Sequence, residues 1–202
     1  MIELTVDAAD LSALQATLLR GDTEYCAILY ASRAISANGR VRLLGREIVV
    51  PSNEDYESRR VDHAQLKPEF MARVTKRARI EGLSIVFAHS HPGRSAPHFS
   101  VTDDEGERDL AEFLGRRMPG SVHGALVASE GGFRARELGT ASEMRVVSLG
   151  DHRRVLFDPE HPPPLSPLFG LVNVNCRNSR VFRVATCSTS RAPLTDRWLS
   201  VL

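Results

Sequence analysis

Hydrophobic residues recur with helical spacing in three segments of the chain. In the first segment Leu11, Leu14 and Leu18 lie on one face of a helix. Asp10 is the predicted N-cap of this helix and Thr102 that of the third, since short oxygen-bearing side chains accept hydrogen bonds from the free amides of a first turn. The predicted helices span 10–19, 67–81 and 102–118.

Short apolar runs bounded by polar residues, glycine or proline predict the strands. The run LSIVFAHS is apolar along almost its whole length, which is typical of a strand covered on both faces. The predicted strands span 24–32, 39–51, 83–90, 121–129, 132–138 and 143–149. With the helices they give the order αββαβαβββ, which predicts one α/β domain over residues 1–150, a mixed sheet with helices on both faces.

The remainder, residues 151–202, differs from the rest in composition. Residues 158–167 contain five prolines, which predicts a stiff, extended linker. The segment that follows has two short β-prone patches and the single tryptophan. We assign 151–202 as a Pro-rich linker and C-terminal extension of unknown role.

Composition and charge exclude several classes of protein. Lys and Arg number 26 against 25 Asp and Glu, so we expect no nucleic-acid partner and no binding to an anionic membrane. No apolar stretch approaches a membrane span, and residues 1–19 lack the basic start of a signal peptide. Three widely spaced cysteines form no CxxC pair, so a disulfide framework is not expected. These features favour a cytoplasmic protein.

The chemistry of the chain is concentrated in HSHPGRSAPHFSVTDD, residues 89–104. On a strand His89 and His91 point to the same face, because side chains alternate with a period of two. Ser100 and Asp103 follow at the start of the third predicted helix. Two imidazoles and one carboxylate supply three zinc ligands and leave a fourth position for water, the arrangement of a catalytic zinc site. Asp104 is the alternative to Asp103.

A zinc-bound water also needs a general base. Glu24 opens the first apolar strand and has apolar neighbours, an unusual place for a carboxylate without a function. We therefore predict that Glu24 takes the proton of the water and passes it to the leaving nitrogen. Glu3 and Glu47 are its rivals.

This combination of residues resembles the JAMM signature of the JAB/MPN/Mov34 metalloproteases: a glutamate, then His-x-His, then Ser-x-x-Asp. The resemblance implies that His89, His91 and Asp103 bind Zn²⁺, that Glu24 is general base and acid, and that Ser100 stabilises the tetrahedral intermediate. It also implies a three-layer α-β-α sandwich, the cytidine deaminase-like JAB/MPN domain. The loop before Ser100 is one residue longer than the usual spacing of the family.

The resemblance implies a substrate class as well. Members of this family cleave after the C-terminal glycine of ubiquitin or a ubiquitin-like protein, whose extended tail adds as a strand beside the active site. The polar segment 52–62 lies where the tail-binding insertion of the family falls. We expect a bacterial protease whose partners are a ubiquitin-like protein and its conjugates, with E1-like and E2-like enzymes of one conjugation system, some of which act in antiphage defence, as further candidates.

Two other functions fit the same residues. A hydrolase of this fold could release an amino acid from a sulfur-carrier protein by the same metal chemistry. A domain of this type could also be a scaffold that only binds partners, although all the ligand-type residues are present here. A cytidine deaminase is excluded because the chain has no Pro-Cys-x-x-Cys pair.

Overall fold

The computed structural model describes residues 1–93 and 96–161, which belong to a compact unit from Met1 to Pro162. The predicted extension lies outside these residues except for its first part, and so does most of the proline-rich segment. None of the helices in the described part of the chain is both long enough and apolar enough to cross a membrane.

The described chain contains ten strands, three α-helices and one turn of 3-10 helix at Asn53–Asp55. The helices are α1 (Ala8–Leu18), α2 (Pro68–Glu81) and α3 (Val101–Arg117). The strands are β1 (Glu3–Asp7), β2 (Cys26–Ile35), β3 (Val41–Val49), β4 (Tyr56–Arg59), β5 (Ala64–Leu66), β6 (Ser84–Ser90), β7 (Gly124–Ser129), β8 (Gly132–Glu137), β9 (Glu143–Leu149) and β10 (Arg153–Phe157).

Seven strands form a closed mixed barrel, so the predicted three-layer α-β-α sandwich is wrong. The strand order is β1-β3-β2-β6-β7-β8-β9, and β9 pairs in parallel with β1 to complete the ring. A sandwich requires an open sheet with two edges, whereas here β1 has a hydrogen-bonded neighbour on each side. The remaining strand of this sheet, β10, pairs with β9 outside the ring.

The strand that closes the barrel was absent from the sequence prediction. β1 is only five residues long and runs directly into α1. Its hydrophobic pattern is therefore too short to distinguish a strand from the segment that leads into a helix. Leu4 and Val6 of this strand are almost completely buried. The predicted order αββαβαβββ therefore lacked the element that decides between an open sheet and a closed one.

Two hydrophobic clusters lie on opposite faces of β2, because alternate residues of a strand point to opposite sides. Ala27, Leu29 and Ala31 join the cluster that includes the buried face of α1. Cys26 and Ile28 join the cluster that includes buried residues of α2 and α3. The central strands are thus covered on both faces, as the apolar run of β6 predicted.

Both predicted N-caps are displaced toward the N-terminus. Asp7, not Asp10, caps α1 and accepts hydrogen bonds from the amides of Ala9 and Asp10. Ser100, not Thr102, caps α3. In each helix the capping side chain precedes the expected position by two or three residues. For α3 the shift gives Ser100 a structural role as N-cap, in addition to the chemical role expected from the sequence.

The polar segment 52–62 contains a turn of 3-10 helix and the strand β4. β4 pairs with β5 in a two-stranded sheet of its own. The hydroxyl of Tyr56 accepts a hydrogen bond from the amide of Cys26 at 2.9 Å, which joins this small sheet to the start of β2. The carbonyl of Arg60 accepts from the amide of Glu24 at 2.8 Å. The segment therefore borders the residues that precede β2.

Candidate metal centre

The two histidines lie at the end of β6 with their rings close together. His89 is the penultimate residue of this strand, between Cys26 of β2 and Val127 of β7. His91 follows the strand, and its amide donates to the carbonyl of Ala128 at 2.9 Å. Both histidines are 4% exposed, and their ring centroids are 5.0 Å apart. The expected shared face is confirmed.

The first turn of α3 brings Asp103 to these rings. Asp103 Oδ1 lies 3.2 Å from Nε2 of His89, and Oδ2 lies 3.3 Å from Nε2 of His91. The carboxylate is fixed by a capping box: its Oδ2 accepts from the amide of Ser100, while Ser100 Oγ accepts from the amide of Asp103 at 3.2 Å. The N-cap of the helix thus orients a candidate metal ligand.

The three side chains could bind one metal ion. One candidate ligand atom from each of His89, His91 and Asp103 lies within 4.8 Å of the others. Both ring nitrogens of His89 and Nδ1 of His91 are buried without a hydrogen-bond partner within the described residues. Buried polar atoms are normally satisfied, so the unpaired Nε2 of His89, which faces the carboxylate of Asp103, fits the donor set of a cation site.

Glu24 lies beside the same nitrogen of His91 that faces Asp103. Its Oε1 lies 3.5 Å from Nε2 of His91, and the residue is 7% exposed. Burial raises the pKa of Glu24 to about 7, although the neighbouring imidazoles of His89 and His91 act to lower it. The structure therefore places a carboxyl group that can gain or lose a proton near neutral pH beside the three candidate ligands.

The ligands also perturb one another. Burial would raise the pKa of Asp103, but the two imidazoles hold it well below its ordinary value. Burial would lower the pKa of His89, yet the carboxylates of Asp103, Glu24 and Glu107 together raise it. The site therefore keeps Asp103 ionised, as a metal ligand must be.

Ser90 is a residue of this site that sequence reasoning missed. Its side chain points away from the histidines that flank it, and its Oγ accepts from the amide of Tyr25 at 3.0 Å. Its own amide donates to the carbonyl of Tyr25 at 3.0 Å. This pair of bonds holds the residue after Glu24 against the His-Ser-His segment. The only signal in the sequence for this role of Ser90 was its position between two histidines.

A third imidazole borders the cluster. The ring centroid of His98 lies 5.4 Å from that of His91, and its Nδ1 lies 3.3 Å from the carbonyl oxygen of Ala96. The residue is half-buried in the loop between β6 and α3. This loop therefore supplies a further polar ring beside the site.

The rival carboxylates lie elsewhere in ion pairs. Glu47 accepts two hydrogen bonds from Arg77, at 2.6 and 2.7 Å. Glu3 accepts from Arg153 at 2.9 Å. The side chain of Asp104 is half-exposed, and its Oδ1 lies 2.7 Å from Arg136. Of the alternatives, only Glu24 and Asp103 face the histidines.

A second group of candidate ligands lies near the end of the described chain. Asp158, Glu160 and His161 bring ligand atoms close together, but the last two residues are exposed. Arg145 pairs with both carboxylates, at 2.9 and 3.4 Å. Because a cation already neutralises these acidic groups, this cluster is an ion-pair network.

Comparison with known proteins identifies no relative by sequence. No protein-family model matches this chain, and no curated protein matches it either. Among solved structures, the solution structure of protein DSY2949 from Desulfitobacterium hafniense aligns over 73% of this chain and 94% of its own, with a TM-score of 0.49 and 15% identity. A similarity at this level says nothing about the function of this chain.

Proposed function

We propose that this chain is a zinc-dependent peptidase or isopeptidase that cleaves after the C-terminus of a ubiquitin-like protein. The observation that supports it most is the convergence of His89, His91 and Asp103 with Glu24 facing the same point. This adds spatial proximity to the sequence resemblance with the JAMM metalloproteases. It is also the arrangement that the reaction needs: three ligands and one separate carboxyl group.

Zinc is the metal that this donor set favours. Two imidazoles and one carboxylate suit a tetrahedral ion that binds nitrogen and oxygen, whereas magnesium and calcium prefer oxygen ligands. With three protein ligands, a bound zinc ion would keep a position for water and lower the pKa of that water toward neutrality. His89 and His91 would bind through Nε2, because these atoms face Asp103.

Glu24 would transfer the proton in this reaction. Its carboxylate would accept a proton from the attacking water and donate it to the leaving nitrogen of the scissile amide. A pKa of about 7 suits both directions of transfer. A cation beside Glu24 would lower that pKa and so favour the base form at the start of the cycle.

Ser100 would act from the N-terminus of α3. Its Oγ accepts from the amide of Asp103, which leaves the hydroxyl proton for donation to the oxyanion of a tetrahedral intermediate. The same residue therefore orients Asp103 and offers a donor. The longer loop before Ser100 keeps this residue beside the metal ligands rather than displacing it.

The substrate tail would bind at the small sheet beside Glu24. An extended peptide gains affinity by adding a strand to a sheet edge. Within the described residues β4 and β5 pair only with each other, and the carbonyl of Arg60, which follows β4, holds the amide of Glu24. A tail aligned on this sheet would end close to the catalytic carboxyl group. The partners, the conjugation system and the cytoplasmic location stay predictions.

The test is cleavage of a ubiquitin-like precursor or fusion encoded beside this gene. We expect the zinc-loaded full chain to cleave after the ubiquitin-like C-terminus. E24Q should lose about 10²-fold or more of the rate, the typical contribution of a general acid–base group, with its zinc content unchanged. E47Q, at an exposed glutamate that pairs with Arg77, is the matched control and should cleave like the wild type.

Each other outcome separates the alternatives. Release of a single amino acid from a sulfur-carrier protein, without cleavage of the fusion, favours the second hydrolase. A chain that purifies without stoichiometric zinc and cleaves neither substrate is a scaffold. Full activity in E24Q removes Glu24 from the mechanism, and full activity after chelation contradicts the zinc mechanism itself.

A further inference from the structure

A buried ion pair lies behind the candidate metal centre. Glu107 follows Asp103 by one turn of α3 and is 7% exposed, and its Oε2 accepts from Nε of Arg136 at 2.8 Å. Arg136 belongs to β8, is 8% exposed and also contacts Asp104 at 2.7 Å. The guanidinium group thus ties two carboxylates of α3 to the barrel wall. A buried charged pair of this kind carries a desolvation cost that invites a functional explanation.

The pair leaves one atom unsatisfied, and so does His89. Glu107 Oε1 and His89 Nδ1 are both buried without a hydrogen-bond partner within the described residues. The aromatic ring of Phe99 contacts His89 and Arg136, the partner of Glu107: its centroid is 6.0 Å from that of His89 and 3.9 Å from Cζ of Arg136. The unpaired acceptor of Glu107 and the unpaired nitrogen of His89 thus belong to residues that are linked through Arg136 and Phe99, and pairing the two atoms would remove the cost of both.

Pairing of Glu107 with His89 would determine which ring nitrogen of His89 carries the proton. Asp103 Oδ1 lies 3.2 Å from Nε2 of His89 and, as an acceptor, favours a proton on that nitrogen. A proton there would block metal binding through Nε2. A second acceptor on the Nδ1 side would hold the proton at Nδ1 and leave the lone pair of Nε2 for the metal ion. Histidine ligands of metal ions are commonly held in this way by a carboxylate.

We propose that Glu107 is a positioning residue for His89: its Oε1 accepts from Nδ1–H, directly or through one water, and Arg136 holds the carboxylate in place. The proposal rests on the metal site of the proposed function and names the residues that tune one of its ligands. It assigns Glu107 and Arg136 a role that the sequence motif does not include.

E107Q tests the proposal with almost no change in volume. Arg136 offers only donors, so the amide oxygen of the glutamine must face it, and the amide NH₂ turns toward His89. That group donates to Nδ1 and moves the ring proton to Nε2. We expect the zinc affinity of E107Q, measured by competition with a chromophoric chelator, to fall about 10- to 100-fold, as for other lost partners of metal ligands.

D104N is the matched control. It removes the other carboxylate partner of Arg136, on the same helix and at a half-exposed side chain, without changing the acceptor offered to His89. We expect D104N to bind zinc with wild-type affinity. Equal affinity in wild type, E107Q and D104N overturns the proposal, and so does an equal loss in both variants, because the effect would then come from Arg136 alone.

The ring proton of His89 is read directly by ¹⁵N NMR of the metal-free full chain, at alkaline pH where the imidazole is neutral. We expect the proton on Nδ1 in the wild type and on Nε2 in E107Q. A wild-type ring with a bare Nδ1 overturns the proposal whether or not any variant folds. If the wild type binds no divalent ion, the proposed function fails, while this measurement still decides the role of Glu107.

Discussion

At the scale of single residues, the candidate site depends on burial more than on charge. His89 and His91 were placed on one face by the period of a strand alone, and the structure agrees. The raised pKa of Glu24 has no counterpart in the sequence, because it comes from the barrel and the segment that enclose the carboxyl group. Residue types predicted which groups meet, whereas their protonation depends on what surrounds them.

His123 provides a test of burial away from the metal centre. Its Nδ1 accepts a hydrogen bond from the amide of Ile85 at 3.1 Å, and burial lowers its pKa from the usual 6.5 to about 4. Below pH 6.5 the unfolded chain binds a proton that the folded chain does not bind until about pH 4. The free energy of unfolding should therefore fall as the pH drops across this window, by about 3 kcal/mol for this group at most.

The prediction is checked by urea unfolding of the metal-free chain between pH 7 and pH 4. In H123N the amide oxygen keeps an acceptor for Ile85 but does not titrate. The slope of the unfolding free energy against pH should therefore be smaller than in the wild type by the contribution of about one proton. H152N, at an exposed histidine, should keep the wild-type slope. An equal slope in H123N and the wild type would show that His123 titrates alike in both states.

At the scale of elements, the first turn of α3 unites helix capping with ligand placement. The reciprocal bonds of Ser100 and Asp103 satisfy two amides and fix the carboxylate that faces both histidines. The sequence contained this signal, since serine followed three residues later by an acidic residue is a capping pattern. The sequence analysis instead assigns the cap to Thr102, and so separates the structural role of Ser100 from the chemical role proposed for the same residue.

Ser100 variants distinguish the two roles. S100A removes the N-cap, so we expect a loss of about 1 kcal/mol in the free energy of unfolding together with weaker zinc binding. S100T retains a hydroxyl that can cap the helix and should restore both quantities. The measurements are urea unfolding and chelator competition. If S100A keeps its stability and zinc affinity but loses cleavage, the hydroxyl of Ser100 acts only in stabilising the oxyanion and not in capping the helix.

At the scale of the whole molecule, closure of the barrel depends on one short strand. β1 is paired in parallel on both sides, to β3 and to β9. Strands that pair in parallel come from distant parts of the chain, so no local sequence pattern predicts which strands pair. Other long-range contacts, the pairing of β2 with β6 and the approach of Asp103 to both histidines, bring Glu24, the end of β6 and the start of α3 to one place.

Leu4 tests the contribution of this strand. It is completely buried in the barrel, so L4A should lower the free energy of unfolding by about 2–5 kcal/mol through lost burial and a cavity. L156A, on the outer strand β10 where the side chain is 44% exposed, is the control and should change stability by about 0.5 kcal/mol or less. Equal effects in urea unfolding would contradict the closed barrel.

The sequence by itself determined the helices, most strands and the candidate ligands. These follow from local periodicity and from a motif whose spacing is read within fifteen residues of chain. Tertiary structure alone decided the closed barrel and the ordered sheet after Asn53. It also decided the approach of Glu24 to His91 and the burial of Glu107 against Arg136. These features depend on pairing between residues far apart in the chain and on the removal of water, neither of which a local pattern records.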